Sequence, residues 1–193
     1  MLTVYQKSYV LPDPDSREIL RYAGMRGAAD EVVSLLDECI AETESLLRPR
    51  VCWCCVDIKE VLEMPECAVI FDSLALSKHL EGCSRIVIFA ATVGIETDRA
   101  ITRYNVLSPT KALLISAIGS ERIEALCDAF ENDLRSEGRE LRPRFSPGYS
   151  DLPLQYQGEI FSLLDCPRRI GLTLTDSMLM SPSKSVSAII GIK

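Results

Sequence analysis

A single histidine, His79, serves a chain of 193 residues. Catalytic triads and most catalytic zinc sites draw on imidazole as base or ligand, so acid–base chemistry built on histidine has little to work with here. The backbone devices of the commonest nucleotide and acyl-transfer enzymes are also missing. There is no GxxxxGK[ST] loop, no GxGxxG after a strand and no GxSxG elbow, which removes the usual basis for nucleotide hydrolysis, dinucleotide binding and serine hydrolysis.

Long apolar runs are absent as well. The longest, Ile86 to Ala91 and Ala112 to Ile118, fall far short of the roughly 20 residues that span a bilayer, so no transmembrane segment and no membrane partner are expected. The opening "MLTVYQKSYVLPDPDS" carries charge and proline where a secretory signal would be uninterruptedly apolar, and a cytoplasmic location is the expectation. Positive charge is in deficit: 28 acidic against 21 basic residues give a net charge of −7, the wrong balance for a phosphate-backbone binder, so no nucleic acid partner is expected. The eight cysteines read as reduced thiols, mostly core filler, in such a compartment.

What the chain has is 47% hydrophobic residues, enough for one substantial core, and the expectation is a single domain over residues 1–193. "TVYQKSYVL" reads as a strand stopped by Pro12 and Pro14. Asp15 with Glu18 has the form of a capping box opening the helix "SREILRYAG", which Gly24 ends. Val32, Leu35, Leu36, Cys39 and Ile40 recur at helical spacing within 28–47. "RVCWCCVDIKEV" and "SRIVIFAATVG" read as strands, the second buried on both faces, with a short helix in "DSLALSKHLEG" between them. "IETDRAITRYN" is a further helix. Ser108 and Pro109 then supply an N-cap and first-turn proline for a long helix that Gly138 closes. A loop over 139–150, a helix in "PLQYQGEIFSLLD" and a terminal strand "SVSAIIGIK" complete an α+β (mixed) fold, a central antiparallel or mixed sheet flanked by helices.

Three local patterns invite a chemical reading. "CWCC" contains a C-x-x-C, Cys52 and Cys55, but strand residues three apart point to opposite faces, and Cys39, Cys67, Cys83, Cys127 and Cys166 form no second pair at ligand spacing. A buried strand of thiols is the favoured reading. His79 sits in "SKHLEG", similar to the D-x-H-x-x-G of cobalamin-binding domains, with Ser77 where the orienting aspartate belongs, so it is expected at a helix surface or boundary. The third is "RFSPGYSDLP", 144–153. Pro147 presets one turn dihedral, Gly148 permits a positive one, and Arg144 can offer a carboxylate two parallel hydrogen bonds, which suggests a small anionic or zwitterionic ligand. A surface turn with one arginine is the competing reading. Arg135, Arg139 and Arg142 read as a solvated helix end and linker.

"RFSPGY" fits an R-x-x-x-G-Y signature, and "EIFSLLD", "IGLTLTDSMLMSPSKSVSAIIG" and, upstream, "ALCDAFENDL" follow the same order as in one family. From about Ile123 to Ile192 the chain resembles the activation domain of cobalamin-dependent methionine synthase, in a short stand-alone form. The resemblance implies that the domain binds S-adenosylmethionine. Arg144 would hold its carboxylate, Tyr149 beside Pro147 and Gly148 would face the ligand and the docked corrin, and Asp128, with Glu124 as competitor, would meet its positive end. The chemistry implied is reductive methylation of cob(II)alamin: an electron comes from a flavodoxin-type donor and a methyl group from S-adenosylmethionine, while the cobalamin is carried in trans by the cobalamin-binding domain of methionine synthase. The protein's share would be positioning, as an accessory component with no catalytic acid or base of its own.

The pattern departs from the family in three places, one of them the family's N-terminal aspartate for the ligand, which has no match here. "SDLPLQ" stands where the family has P-A-C-P-[DE]-H, keeping only Pro153, and the family's terminal strand and tyrosine pair have no counterpart before Lys193. This leaves two rival classes: a corrinoid-protein partner without S-adenosylmethionine, and an independent enzyme using the "CWCC" thiols.

Overall fold

The computed structural model describes residues 2–62 and 72–193. Among these residues, four strands form one antiparallel sheet in the order β1-β2-β3-β6: β1 is Val4–Ser8, β2 Arg50–Asp57, β3 Arg85–Thr92 and β6 Ser185–Ile192. The fold is therefore mixed α+β, and of the two expected sheet types the antiparallel one is found. The central strand β3 is the unbroken apolar run; every residue after Arg85 is buried, as a strand covered on both faces requires. β2 ends at Asp57, earlier than its β-branched content suggests, because its partner β3 begins at Arg85, opposite Asp57. The chain turns there into the short helix α3, Ile58–Leu62.

Alternation along β2 sends Cys52, Cys54 and Val56 to one face and Val51 to the other. On the first face a core forms with helices α4 (Leu74–His79), α7 (Gln157–Leu164) and α8 (Cys166–Ile170). On the second, Ile123, Leu126, Cys127, Phe130 and Leu134 of the long helix α6, Pro109–Ser136, pack against Val51, Val87, Phe89 and Ile190. The first half of α6 carries a third core, with Ile115 and Ile118 against Ile19 of α1 (Ser16–Tyr22), Leu36 and Cys39 of α2 (Asp30–Glu44), and Ala100 of α5 (Glu96–Leu107). A two-stranded hairpin, β4 (Thr173–Leu174) with β5 (Met180–Ser181), was not evident from the sequence, its strands being two residues each.

The helix boundaries follow the sequence signals with specific exceptions. Asp15 caps α1 by accepting from the Arg17 and Glu18 amides, but Glu18 turns to Arg21 at 2.7 Å instead of closing the box. Ser108 and Pro109 start α6, although the serine side chain makes no capping bond, and Gly138 ends it at φ +81°. Residues 154–156 form a 3-10 turn ahead of α7. Cys52 and Cys55 fall on opposite faces of β2, as alternation requires, and Cys52 lies 3.8 Å from Cys166. Cys67 lies outside the described residues.

Candidate functional site

The segment after α6 is irregular but not free. Arg142 N donates to Gly191 O, and Phe145 and Ile189 exchange both backbone bonds at 2.9 Å, so residues 141–145 run antiparallel along β6 as a partial fifth strand. Strand alternation then decides where the side chains go. Phe145, 6% exposed, enters the α4/α7 core, a burial that stabilises by about 1.5–3 kcal/mol. Arg144 consequently faces the opposite way, onto α6.

On α6 it meets acids spaced 124, 128 and 131, one stripe of the helix. Arg144 Nη2 donates to Glu124 at 3.1 Å, Nη1 stands 3.1 Å from Asp128 Oδ1, and Nε 3.3 Å from Glu131 Oε1. The Nη1–Asp128 contact has ion-pair distance without hydrogen-bond geometry, and Nη1 is buried with no hydrogen-bond acceptor among the described residues. Burial opposes the Arg144 charge, but the Cys127 sulfur and the three carboxylates outweigh it, so the guanidinium is held in its charged form more firmly than usual. Burial, ahead of the neighbouring charges, pushes the Cys127 thiol up to about 12.

Beyond Glu124 and Asp128 the surface opens into a groove of about 440 Å³ between α6 and the start of α1, lined by Asp15, Glu18, Tyr22, Glu121, Glu124 and Asp128 among others. Its charged lining is entirely acidic. Arg122 fixes the far wall: fully buried, it donates to both Glu121 oxygens at 2.5 and 2.6 Å and to Pro12 O at 2.6 Å, fastening the segment before α1 to α6.

The Pro-Gly bend has the geometry its sequence asks for. Tyr149 N donates to Ser146 O at 3.2 Å across Pro147 and Gly148, and Gly148 takes φ +87°, a type II turn. Pro147 is buried, whereas Tyr149 is 67% exposed and rests edge-on against Phe145, ring centres 5.5 Å apart. The structure thus brings Arg144 and Asp128 together, while Tyr149 stays on the solvent side of the bend with its ring on Phe145.

Two residues that sequence reasoning left out of the site hold this bend. Asp151 accepts from the Ser73 hydroxyl at 2.5 Å and the Leu74 amide at 2.9 Å, capping α4; these bonds, the Ser73 one foremost, keep its carboxyl below the ordinary range. At the other end of α4, His79 Nε2 donates to Pro143 O at 2.8 Å and its ring lies 5.3 Å from Phe145. His79 is a boundary residue, as expected, but one that anchors the strand carrying Arg144. Arg142 is likewise more than a solvated linker residue: Nη2 donates to Glu81 O at 3.0 Å. Glu131 could have been found from its helical spacing to Glu124 and Asp128; nothing local marks Asp151.

The model of a known family, described as the activation domain of vitamin B12-dependent methionine synthase, matches residues 72–193, which include α6, the Arg144 bend and β6. The chain belongs to this activation-domain family. Its fold is similar to a crystal structure described as the MetH reactivation domain bound to AdoHcy, with TM-score 0.64 and 17% identity over 98% of this chain and 78% of that one. No curated protein sequence matches the chain. Within the matched residues, Glu124 and Asp128 of the α6 stripe line the groove, and Arg144 stands within ion-pair distance of both.

Proposed function

We propose that this chain is a reactivation module for cobalamin-dependent methionine synthase, binding S-adenosylmethionine beside Arg144 and docking in trans on the cobalamin-binding domain. The observation that carries the reading is the buried Arg144 Nη1, a guanidinium donor without a hydrogen-bond acceptor among the described residues, held beside Glu124 and Asp128 where these line a groove whose charged residues are all carboxylates, in a chain of the activation-domain family. S-adenosylmethionine carries one carboxylate, an ammonium and a sulfonium. An acidic groove with one arginine paired to two of its carboxylates complements that distribution, and its volume suits a ligand of this size.

In this reading Glu131, 6% exposed, keeps hold of Nε, so the guanidinium stays oriented while Nη1 takes the ligand carboxylate. Asp128 and Glu124 then face the positive end. Bound S-adenosylmethionine would supply the methyl group for reductive methylation of cob(II)alamin, with the electron from a flavodoxin-type donor. The chain contributes position rather than acid–base catalysis. In this reading Tyr149, exposed on the bend, meets the corrin face of the partner.

One observation favours a second reading, a corrinoid-protein partner that binds no nucleoside: the guanidinium already stands within ion-pair distance of three carboxylates. Adding this chain to a cobalamin-loaded methionine synthase that lacks its own activation domain separates the two. Restored turnover that depends on S-adenosylmethionine supports the first, complex formation insensitive to it supports the second, and no complex defeats both.

A further inference from the structure

A second site lies on the other side of the molecule. Between the β1–β2 edge of the sheet and α8 is a cavity of about 160 Å³ lined by Gln6, Lys7, Ser8, Arg50, Arg169 and Ile170. The strand register explains its polar floor. Gln6 stands opposite Cys52 and Ser8 opposite Arg50, so all four side chains leave the sheet on the face that α8 covers. Lys7 alternates to the other face, where Asp133 takes its ammonium at 2.5 Å.

The two arginines are chemically unfinished. Among the described residues, Nε of Arg50 and Nε of Arg169 are each buried with no hydrogen-bond partner, and the cavity lining includes no carboxylate. This is an acidic chain, net charge −7, so two guanidinium groups gathered without an acid between them run against the general balance. A buried donor left unpaired costs about 1–3 kcal/mol, more for a charged group, and two such donors on one cavity call for a shared acceptor.

We propose that this cavity binds a phosphate-class oxyanion between Arg50 and Arg169. Planar guanidinium forks match such an anion with paired N–H···O bonds, and the Ser8 hydroxyl and Gln6 amide lie on the same lining to reach further oxygens. At a liquid-water share of about 30 Å³ per molecule, the space replaces only a handful of waters, room for the anionic group itself and not for a nucleotide. The group is either a free ion or the head of a larger ester that projects through the mouth.

The test is phosphorus NMR and thermal denaturation of the whole chain, titrated with inorganic phosphate, with phenyl phosphate and with acetate at ionic strength held constant by sodium chloride. Saturable binding of inorganic phosphate or of the ester, with acetate inert, is expected, and the tighter of the two identifies the source. Arg169→Gln should weaken it at least tenfold. Arg168→Gln, which removes the same charge from the exposed neighbouring position of the same helix, should leave it unchanged. The proposal is overturned by a response no different from chloride, by acetate binding as well as phosphate, or by equal losses in the two variants. Neither position is buried, Arg168 being exposed and Arg169 partly so, and the comparison survives if Arg50→Gln does not fold.

Discussion

Asp151 reaches across 77 residues of sequence to accept the Leu74 amide at 2.9 Å. A six-residue helix such as α4 has too few internal bonds to persist alone. With Asp151 on its first turn and His79 bonded to Pro143 from its last, it becomes a brace spanning both ends of the Arg144–Tyr149 bend. Asp151→Ala should therefore speed hydrogen exchange at Leu74 and Ala75 and loosen the amides of 144–152, with Asp151→Asn intermediate because the amide oxygen still accepts. Unchanged exchange in the bend would remove the brace. The pH dependence has a defined sign. The folded carboxyl is held below the unfolded value of about 3.9, so its contribution is present above that pH and lost as pH falls through the depressed value. Carboxyl-carbon NMR should show Asp151 titrating below free aspartate.

Arg122 has no exposure and satisfies Glu121 and Pro12 together, with Glu44 3.7 Å away. Removing it strands Glu121, itself 8% exposed, as a charge without its partner. Arg122→Ala should destabilise the fold by about 3–5 kcal/mol, measured by urea denaturation. A loss under about 1 kcal/mol would mean the clamp is not formed in solution.

Cys127 supplies a probe of the apolar ground beneath Arg144. Burial raises its thiol to about 12, against about 8.5 for a free thiol. Native protein at pH 8 should label with a thiol reagent at the partly exposed Cys55 and Cys83 but not at Cys127, which reacts only on unfolding. By linkage, the stability attached to this thiol is intact below about pH 8.5 and falls as pH rises from there toward 12. Rapid labelling of Cys127 in the native state would contradict the packing.

Gly119 sits inside α6, where alanine would ordinarily gain about 1 kcal/mol of helix propensity. A Cβ there would come within 2.9 Å of both Thr97 Cγ2 and Lys184 Cγ. The lysine stem can shift, but it is held by Nζ bonds to Ser116 and Ser120, and the Thr97 methyl has nowhere to go. Gly119→Ala should destabilise by about 1–3 kcal/mol in thermal unfolding. A stabilised variant would show that helix α5 yields at this contact.

Local chemistry made much of this structure readable in advance. The Asp15 cap, the Ser108–Pro109 start and Gly138 end of α6, the doubly buried β3, and the type II bend at Pro147–Gly148 all depend on residues within a few positions of each other. What stayed hidden depends on register and distance. The fifth-strand pairing of 141–145 with β6 turns Arg144 onto α6 and Phe145 into the core, and no periodicity within "RPRFSP" announces it. The division of Arg144 from Tyr149 across the bend follows from that pairing. Asp151 and His79 serve the site from positions that only α4 brings near. The Arg50–Arg169 cavity joins residues from two ends of the chain and carries no motif.

Arg144 as the anchor of a bound zwitterion is tested most directly by calorimetric titration of S-adenosylmethionine into the wild-type chain and into Arg144→Ala. Saturable binding that the substitution weakens by ~1.5–3 kcal/mol, the loss of a charged hydrogen bond, is the predicted result. Binding of equal strength in both proteins, or none in the wild type, would contradict it.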